Sequence, residues 1–329
     1  MYDVVSIGMA FSDVGADNIP HTLLHRHSVP LDDTVILSAD AIGSLRRNLI
    51  APRISGGGAA ANSAASVAML GKAGFIGVVG DDDLGRHFVN EMKQRNVDWI
   101  GDPIYKTGGV TAQCIVLTTE DRAKRSMAIN FGCAAGFVRE HFLDLPSLKT
   151  KFLFVEMELL EHSDVRQILM PALDAARSYM RLAFTLQNIG SRASKSANDS
   201  LVHGYIADAA HYINLNGDVI IGNAAEHTVF SNFAGRRSKM NQIRVVTRGE
   251  HGAEAHFGGY VESFPAVVPD QIIAGVGAGD GFAGAFLHAL SNGAGIVNSL
   301  SSGSQFAAAV LSVPTARLPI GHPLGNLNR

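Results

Sequence analysis

Short apolar runs, separated by segments of helical period, recur along this chain, and that alternation limits what it can fold into. Residues 2 to 7 form such a run, ending at Gly8, and read as a buried strand that stops at a loop. A strand over Gly74 to Gly80 leads through Asp81-Asp82-Asp83-Leu84-Gly85 into a helix reaching about Asn96. The second half continues with a strand over Phe152 to Val155, a helix near Val165 to Met180, and strands over Leu182 to Leu186 and Tyr212 to Leu215. A helix from Asn223 and a strand over Arg244 to Thr247 follow. Strands alternating with helices imply a three-layer α/β fold, a mostly parallel central sheet with helices on both faces. Ligands of such sheets bind beyond the carboxyl ends of the strands. Asp13, Glu158, Asn188, Asn223 and Arg248 all fall just after predicted strands, so they should gather on one rim.

Two stretches stand outside the alternation. Positions 14 to 55 are punctuated by Pro20, Pro30 and Pro52 and lack a long helical period. Thr111 to Thr118 and Lys124 to Asn130 are strand-like and separated by the polar turn Glu120-Asp121-Arg122, which reads as a hairpin. Together they would make a small β lid, in segments about 14–55 and 104–132, inserted in a single domain over 1–329. Its edges could pair between two chains, giving a homodimer through the lid. No repeat, low-complexity tract or linker divides the 329 residues.

The net charge of -3 gives no electrostatic footprint for nucleic acid or an anionic membrane. An acid at position 3 argues against a signal peptide, and no apolar run approaches the ~18 residues of a membrane span. Two cysteines make no disulfide framework, so a soluble, reducing, cytoplasmic setting is expected. His21, His25 and His27 lack carboxylate or thiol companions and read as solvated loop, and Asp81 to Asp83 read as a helix cap.

The chemistry concentrates in two glycine-rich turns that lead into helices. Gly275 to Gly284 has glycine at four of its first seven positions and runs into an apolar helix from Phe282 to Leu290. A helix start leaves N–H groups unpaired and favours an anion, most often phosphate. Asp280 lies where that anion would be. It reads either as a helix N-cap or as a group that takes a proton from an attacking hydroxyl. Gly279, Gly281 and Gly284 fit a dinucleotide fingerprint, but no acid follows Asp280 to hold a ribose. Gly56-Gly57-Gly58 opens the second turn, into an Ala-rich helix over Ala59 to Leu70 that carries Asn62. Close backbone approach to a ligand and tight packing of small residues are both open readings there.

Several stretches together resemble the ribokinase-like, or phosphofructokinase B, family of carbohydrate and nucleoside kinases, nearly end to end. Gly56 to Asn62 resembles its N-terminal signature, and Phe75 to Gly85 the strand and turn that follow. Asn223-Ala224-Ala225-Glu226 matches its Asn-x-x-Glu, Val246 to Gly252 its nucleotide loop, and Gly277-Ala278-Gly279-Asp280 its C-terminal signature. The resemblance implies an ATP-dependent kinase that transfers the γ-phosphoryl group to a hydroxymethyl group of a small sugar. An adenosine-type nucleoside kinase, or an impaired ligand-binding homologue, are its alternatives. Asp280 would be the general base, with the amides of Gly277, Ala278 and Gly279 as anion hole. Asp13, Gly57, Gly58, Asn62 and Glu158 would hold the acceptor. Thr247, Gly249 and Gly252, with Asn188, Ala307 and Ala308, would line the ATP site, and Asn223 and Glu226 would position Mg²⁺. The family commonly places Asp-Thr where this chain has Ala274-Gly275. That Asp serves a monovalent-cation site, so potassium activation is in doubt. Phe11 replaces the Asn of ribokinases and suits a base or other apolar group.

Overall fold

The computed structural model describes residues 1–103, 108–120, 125–195 and 199–326, which form two sheets. From one edge, the nine strands of the larger are Tyr260–Phe264, Ala253–Phe257, Ile243–Thr247, Val219–Asn223, Arg181–Thr185, Thr150–Glu156, Tyr2–Ile7, Ala73–Ile76 and Val97–Trp99. All pairings from Ile243–Thr247 to Val97–Trp99 are parallel, and the two strands beyond Ile243–Thr247 add an antiparallel extension. Successive residues of one strand feed opposite layers. Val4, Phe152 and Phe154 pack with Ala61, Phe282 and Phe286, while Val5, Ile7 and Leu153 pack with Leu169, Ile206 and Ile213. A parallel strand that is apolar on both sides needs helices on both faces, and the three-layer expectation holds.

The second sheet runs in the order Thr34–Ile36, Arg125–Asn130, Ala112–Thr119, Phe11–Ile19, Arg53–Gly57. Val14, Ala16, Ile115 and Leu117 on one of its faces cover Ile42 and Leu45 of the Ala39–Arg47 helix. Parts of the expected lid, its start at 104 and the turn residues Asp121 and Arg122 with Lys124, lie outside the described residues.

Four local expectations are corrected. Asp13 lies within strand Phe11–Ile19 rather than in a loop, hydrogen-bonded between Arg53–Gly57 and Ala112–Thr119. Tyr212 to Leu215 is the end of helix Ser200–Asn216, because Ile206, Ala209, Ala210 and Ile213 form a buried stripe at helical spacing; the strand is Val219–Asn223. The 14 to 55 stretch holds two helices, too short to show a long period, and His21–Arg26 is one of them. The strand expected over Gly74 to Gly80 ends at Ile76. Asp82 is an N-cap as expected, taking the Gly85 amide at 2.8 Å, and it also accepts from the Thr111 hydroxyl at 2.6 Å.

The helix that carries Asn62, Ala59–Leu70, is buried from Ala59 to Val67. It lies against helix Ala278–Ser291 so closely that a Cβ at Gly284 would sit 2.5 Å from the Ser63 carbonyl. Small residues on both helices therefore set the distance between the two glycine-led turns. No helix among the described residues is long and apolar enough to cross a membrane.

Candidate active site

Helix Ala278–Ser291 starts from Gly277, whose φ of 81° is left-handed and whose Cβ would collide with the Ala316 carbonyl at 2.4 Å. Glycine is required there on both counts. The first-turn amides of Ala278 and Gly279 face no carbonyl one turn earlier, as at any helix start. Open space surrounds Gly279, where a Cβ would meet nothing within 4 Å. Asp280 is in this first turn and is not the N-cap. Its Oδ2 accepts the Asn62 amide at 2.9 Å, and its carbonyl accepts the Ser63 hydroxyl at 2.9 Å. Burial pushes the Asp280 carboxyl up to about 6, against the Asn62 donor and the Arg317 guanidinium, and Glu226 adds to the rise.

The glycine triplet supplies room rather than flexibility. A Cβ at Gly57 would stand 2.5 Å from both carboxylate oxygens of Asp13, so Asp13 lies across it. Gly58, at φ 92°, is the N-cap of helix Ala59–Leu70, and a Cβ there would strike the Met9 carbonyl at 2.1 Å. Beneath it, buried Glu156 accepts the Met9 amide at 2.8 Å and the Ala60 amide at 2.7 Å, tying the end of strand Tyr2–Ile7 to the start of the helix. Burial raises the Glu156 carboxyl to about 8 in spite of those two donors. Glu158 sits in the short helix Met157–Glu161, 3.2 Å from Arg192, which Glu161 also holds.

At the other end of the cleft, a cavity of about 450 Å³ is lined by Asn223, Ala224, Ala225, Thr247, Arg248, Gly249 and His251. Asn223 caps helix Ala224–Phe233 and forms a capping box with Glu226: each side chain takes the other's backbone amide, at 2.9 and 2.8 Å. The second Glu226 oxygen accepts the Asn188 amide at 3.0 Å. Gly252, at φ 87°, closes the loop beside strand Tyr260–Phe264 without lining the cavity. Ala308 is buried and Ala307 partly buried in helix Ile296–Leu311; neither lines the cavity.

The structure thus joins Asp13, Gly57, Asn62 and Asp280 at one end, and Asn188, Asn223, Glu226, Thr247 and Gly249 at the other. Sequence reasoning missed Arg317, Glu91 and Glu156. Arg317 follows the last long helix in an irregular segment with no motif around it, and Glu91 looks like any charged helix residue. Only the apolar strand before Glu156 hinted that it ends up buried.

Residues 48–322 match the family described as pfkB family carbohydrate kinase. The chain is 27% identical over 327 residues to 5-dehydro-2-deoxygluconokinase of Lacticaseibacillus casei, covering 94% of this chain and 90% of that protein. The enzyme of the same name from Geobacillus kaustophilus is 27% identical over 281 residues, 78% of each chain. Among solved structures, a probable sugar kinase from Rhizobium etli aligns with a TM-score of 0.79 at 22% identity, over 97% of this chain and 95% of that one. The adenosine kinase of Sinorhizobium meliloti aligns at 0.78 and 24% identity, over 97% and 96%. These last two likenesses are of fold.

Proposed function

The chain belongs to the pfkB family of carbohydrate kinases and is an ATP-dependent sugar kinase acting on a hydroxyl group, and on that premise we propose how its residues divide the work. The observation that carries the reading is the 2.9 Å bond between Asn62 and Asp280, which joins the two glycine-led helices at one point. Asp13 and Asn62 hold the acceptor hydroxyls, with Gly57, Gly58 and Glu158 lining the same end. Asp280 takes the proton of a hydroxymethyl group as its oxygen bonds to the γ-phosphorus and the bond to ADP breaks. The first-turn amides of Gly277, Ala278 and Gly279 stabilise the charge on the transferred group.

The cavity at Thr247 and Gly249 takes the nucleotide, with Asn188, Gly252, Ala307 and Ala308 around it. Both Glu226 oxygens already accept amides, so Glu226 and Asn223 would hold Mg²⁺ through water. Bound Mg²⁺ neutralises phosphate charge. The second sheet acts as a lid over the acceptor end, its edge strands Thr34–Ile36 and Arg53–Gly57 being where a second copy would pair. A monomeric mass in solution would end that pairing. A cytoplasmic setting belongs to the same reading.

Among sugars, 5-dehydro-2-deoxygluconate, the acceptor named for the relatives, is the first candidate. Arg53 pairs with Gly15 across the lid strands, on the face that carries Asp13, and an acidic sugar would have to compete there with Asp17, which its guanidinium bonds at 2.6 Å. The nucleoside reading rests on Phe11 and Phe131, whose rings meet edge to face at 5.8 Å beside Asp13. Initial rates with 5-dehydro-2-deoxygluconate, ribose, fructose and adenosine decide. Turnover of adenosine alone overturns the sugar assignment. No ATP consumption with any of them, together with a melting temperature raised by sugar, marks a binding homologue.

A further inference from the structure

We propose that Arg317 is a positioning residue for the phosphoryl transfer: it fixes which way the Asn62 amide faces, and through Asn62 it orients Asp280. The proposal rests on Asp280 being the general base. Arg317 is only 3% exposed and lies beneath the glycine triplet, so it acts through other groups. Its Nε donates to Asn62 Oδ1 at 2.8 Å, Nη1 to Glu91 Oε1 at 3.2 Å and Nη2 to the Gly57 carbonyl at 3.3 Å. The guanidinium lies 5.2 Å over the Phe88 ring.

A guanidinium has donors and no acceptor, so the Asn62 atom that faces it must be the oxygen. The Asn62 nitrogen is thereby directed at Asp280 Oδ2. With Arg317 absent the Asn62 oxygen loses its donor and only the Asp280 carboxylate still orients the amide, so the donor to Asp280 is held less firmly. Glu91 anchors the arrangement from helix Asp83–Gln94. It accepts from Arg317, from Arg95 Nε at 2.7 Å and from the Gly56 amide at 2.6 Å. Burial would raise the Glu91 carboxyl, but the two guanidiniums outweigh it and hold it below its usual range. Gly56 also finds its purpose here, because a Cβ at that position would stand 2.2 Å from Arg317 Nη1. The triplet therefore divides its labour: Gly56 seats Arg317, Gly57 seats Asp13, and Gly58 turns the chain into the helix.

The charged groups felt at Asp280 are Arg317 from the C-terminal segment and Glu226 from helix Ala224–Phe233, while the Asp280 charge in turn helps keep Glu156, at the end of strand Thr150–Glu156, protonated. Arg317 itself faces Glu91, Arg95 and Asp13. Of the two groups felt at Asp280, only Arg317 is cationic, so its loss moves the acid limb of kcat upward.

The test is kcat and KM against pH for the full chain, with the panel sugar turned over fastest. Arg317→Met is compared with the double variant Arg317→Met/Glu91→Gln, which leaves no unpaired buried carboxylate, and with Asp280→Asn. The double variant should lose roughly 10–100-fold in kcat, keep its KM for ATP within about threefold, and shift its acid limb up by about one pH unit. Arg317→Lys keeps the cation but not the fork, so its limb should stay near the parent's while kcat falls about tenfold. If the Met variants do not fold, a parent-like kcat in Arg317→Lys overturns the proposal. So does a folded double variant with an unmoved limb and kcat within about threefold of the parent. Near-parent turnover in Asp280→Asn would instead sink the base assignment beneath it.

Discussion

At the end proposed to take the acceptor, Asn62 is bound to Asp280 across 218 positions of sequence and to Arg317 across 255. At the end proposed to take the nucleotide, Asn223 and Glu226 serve each other at a separation of three, and Arg248 bonds Glu254 at a separation of six. One end is an agreement among distant elements, crowded and largely closed to water; the other is assembled from short motifs around an open cavity. On the proposed roles, the preorganised end would select the hydroxyl to be phosphorylated, while the nucleotide end is satisfied by its own neighbours. Substitutions should therefore cost most where the contacts are long-range.

The strongest challenge to that contrast is Asp280→Asn. Turnover should fall about 10³-fold with ATP affinity largely kept, and turnover near the parent's would break the assignment. In the parent, kcat should rise with pH through about 6, as the raised Asp280 carboxyl ionises. The sign for stability is the reverse. A carboxyl whose folded pKa lies above its unfolded value binds more protons when folded, so the contribution of Asp280 to stability declines as pH rises from about 3.8 to about 6 and is lost above that. Asp280→Asn removes that decline, and its melting temperature relative to the parent's should be higher at pH 8 than at pH 4.

Glycines at the two ends give a matched pair. Gly58→Ala meets both a left-handed φ and the Met9 carbonyl, and should destabilise by about 2–3 kcal/mol or more in denaturant unfolding. Gly249→Ala has a φ of 57° but nothing within 4 Å of its Cβ, so about 1 kcal/mol is expected. Equal costs would erase the distinction between a crowded and an open end. Smallest of all, Glu226→Gln keeps part of the capping box and should cost only about 0.5–1 kcal/mol, with a several-fold higher Mg²⁺ concentration for half-maximal rate. A large loss of stability would show the nucleotide end to be as interdependent as the acceptor end.

The same contrast explains what could be read from sequence. The parallel sheet, both glycine turns and the Asn-x-x-Glu motif were legible because each expresses itself within a few residues. Tyr212 to Leu215 misled because four apolar-rich residues fit a strand and a helix end equally, and the buried stripe from Ile206 decides between them. Asp13 was expected in a loop and lies in a strand, since strand Phe11–Ile19 alternates across a sheet whose partners come from 53–57 and 112–119. Arg317 and Glu91 had no local signal at all, because a contact at a separation of 226 leaves no spacing to recognise.

That long reach between Asn62 and Arg317 also orders events during synthesis. At about 5–20 residues per second, roughly 13 to 50 seconds pass between the two residues leaving the ribosome. For most of that interval helix Ala59–Leu70 lacks the Asp280 helix that packs on it, and Asn62 gains Asp280 before it gains Arg317. The packing partner of helix Ala59–Leu70 and both side-chain partners of Asn62 therefore come from the last part of the chain to be made, and the end proposed to take the acceptor is completed late.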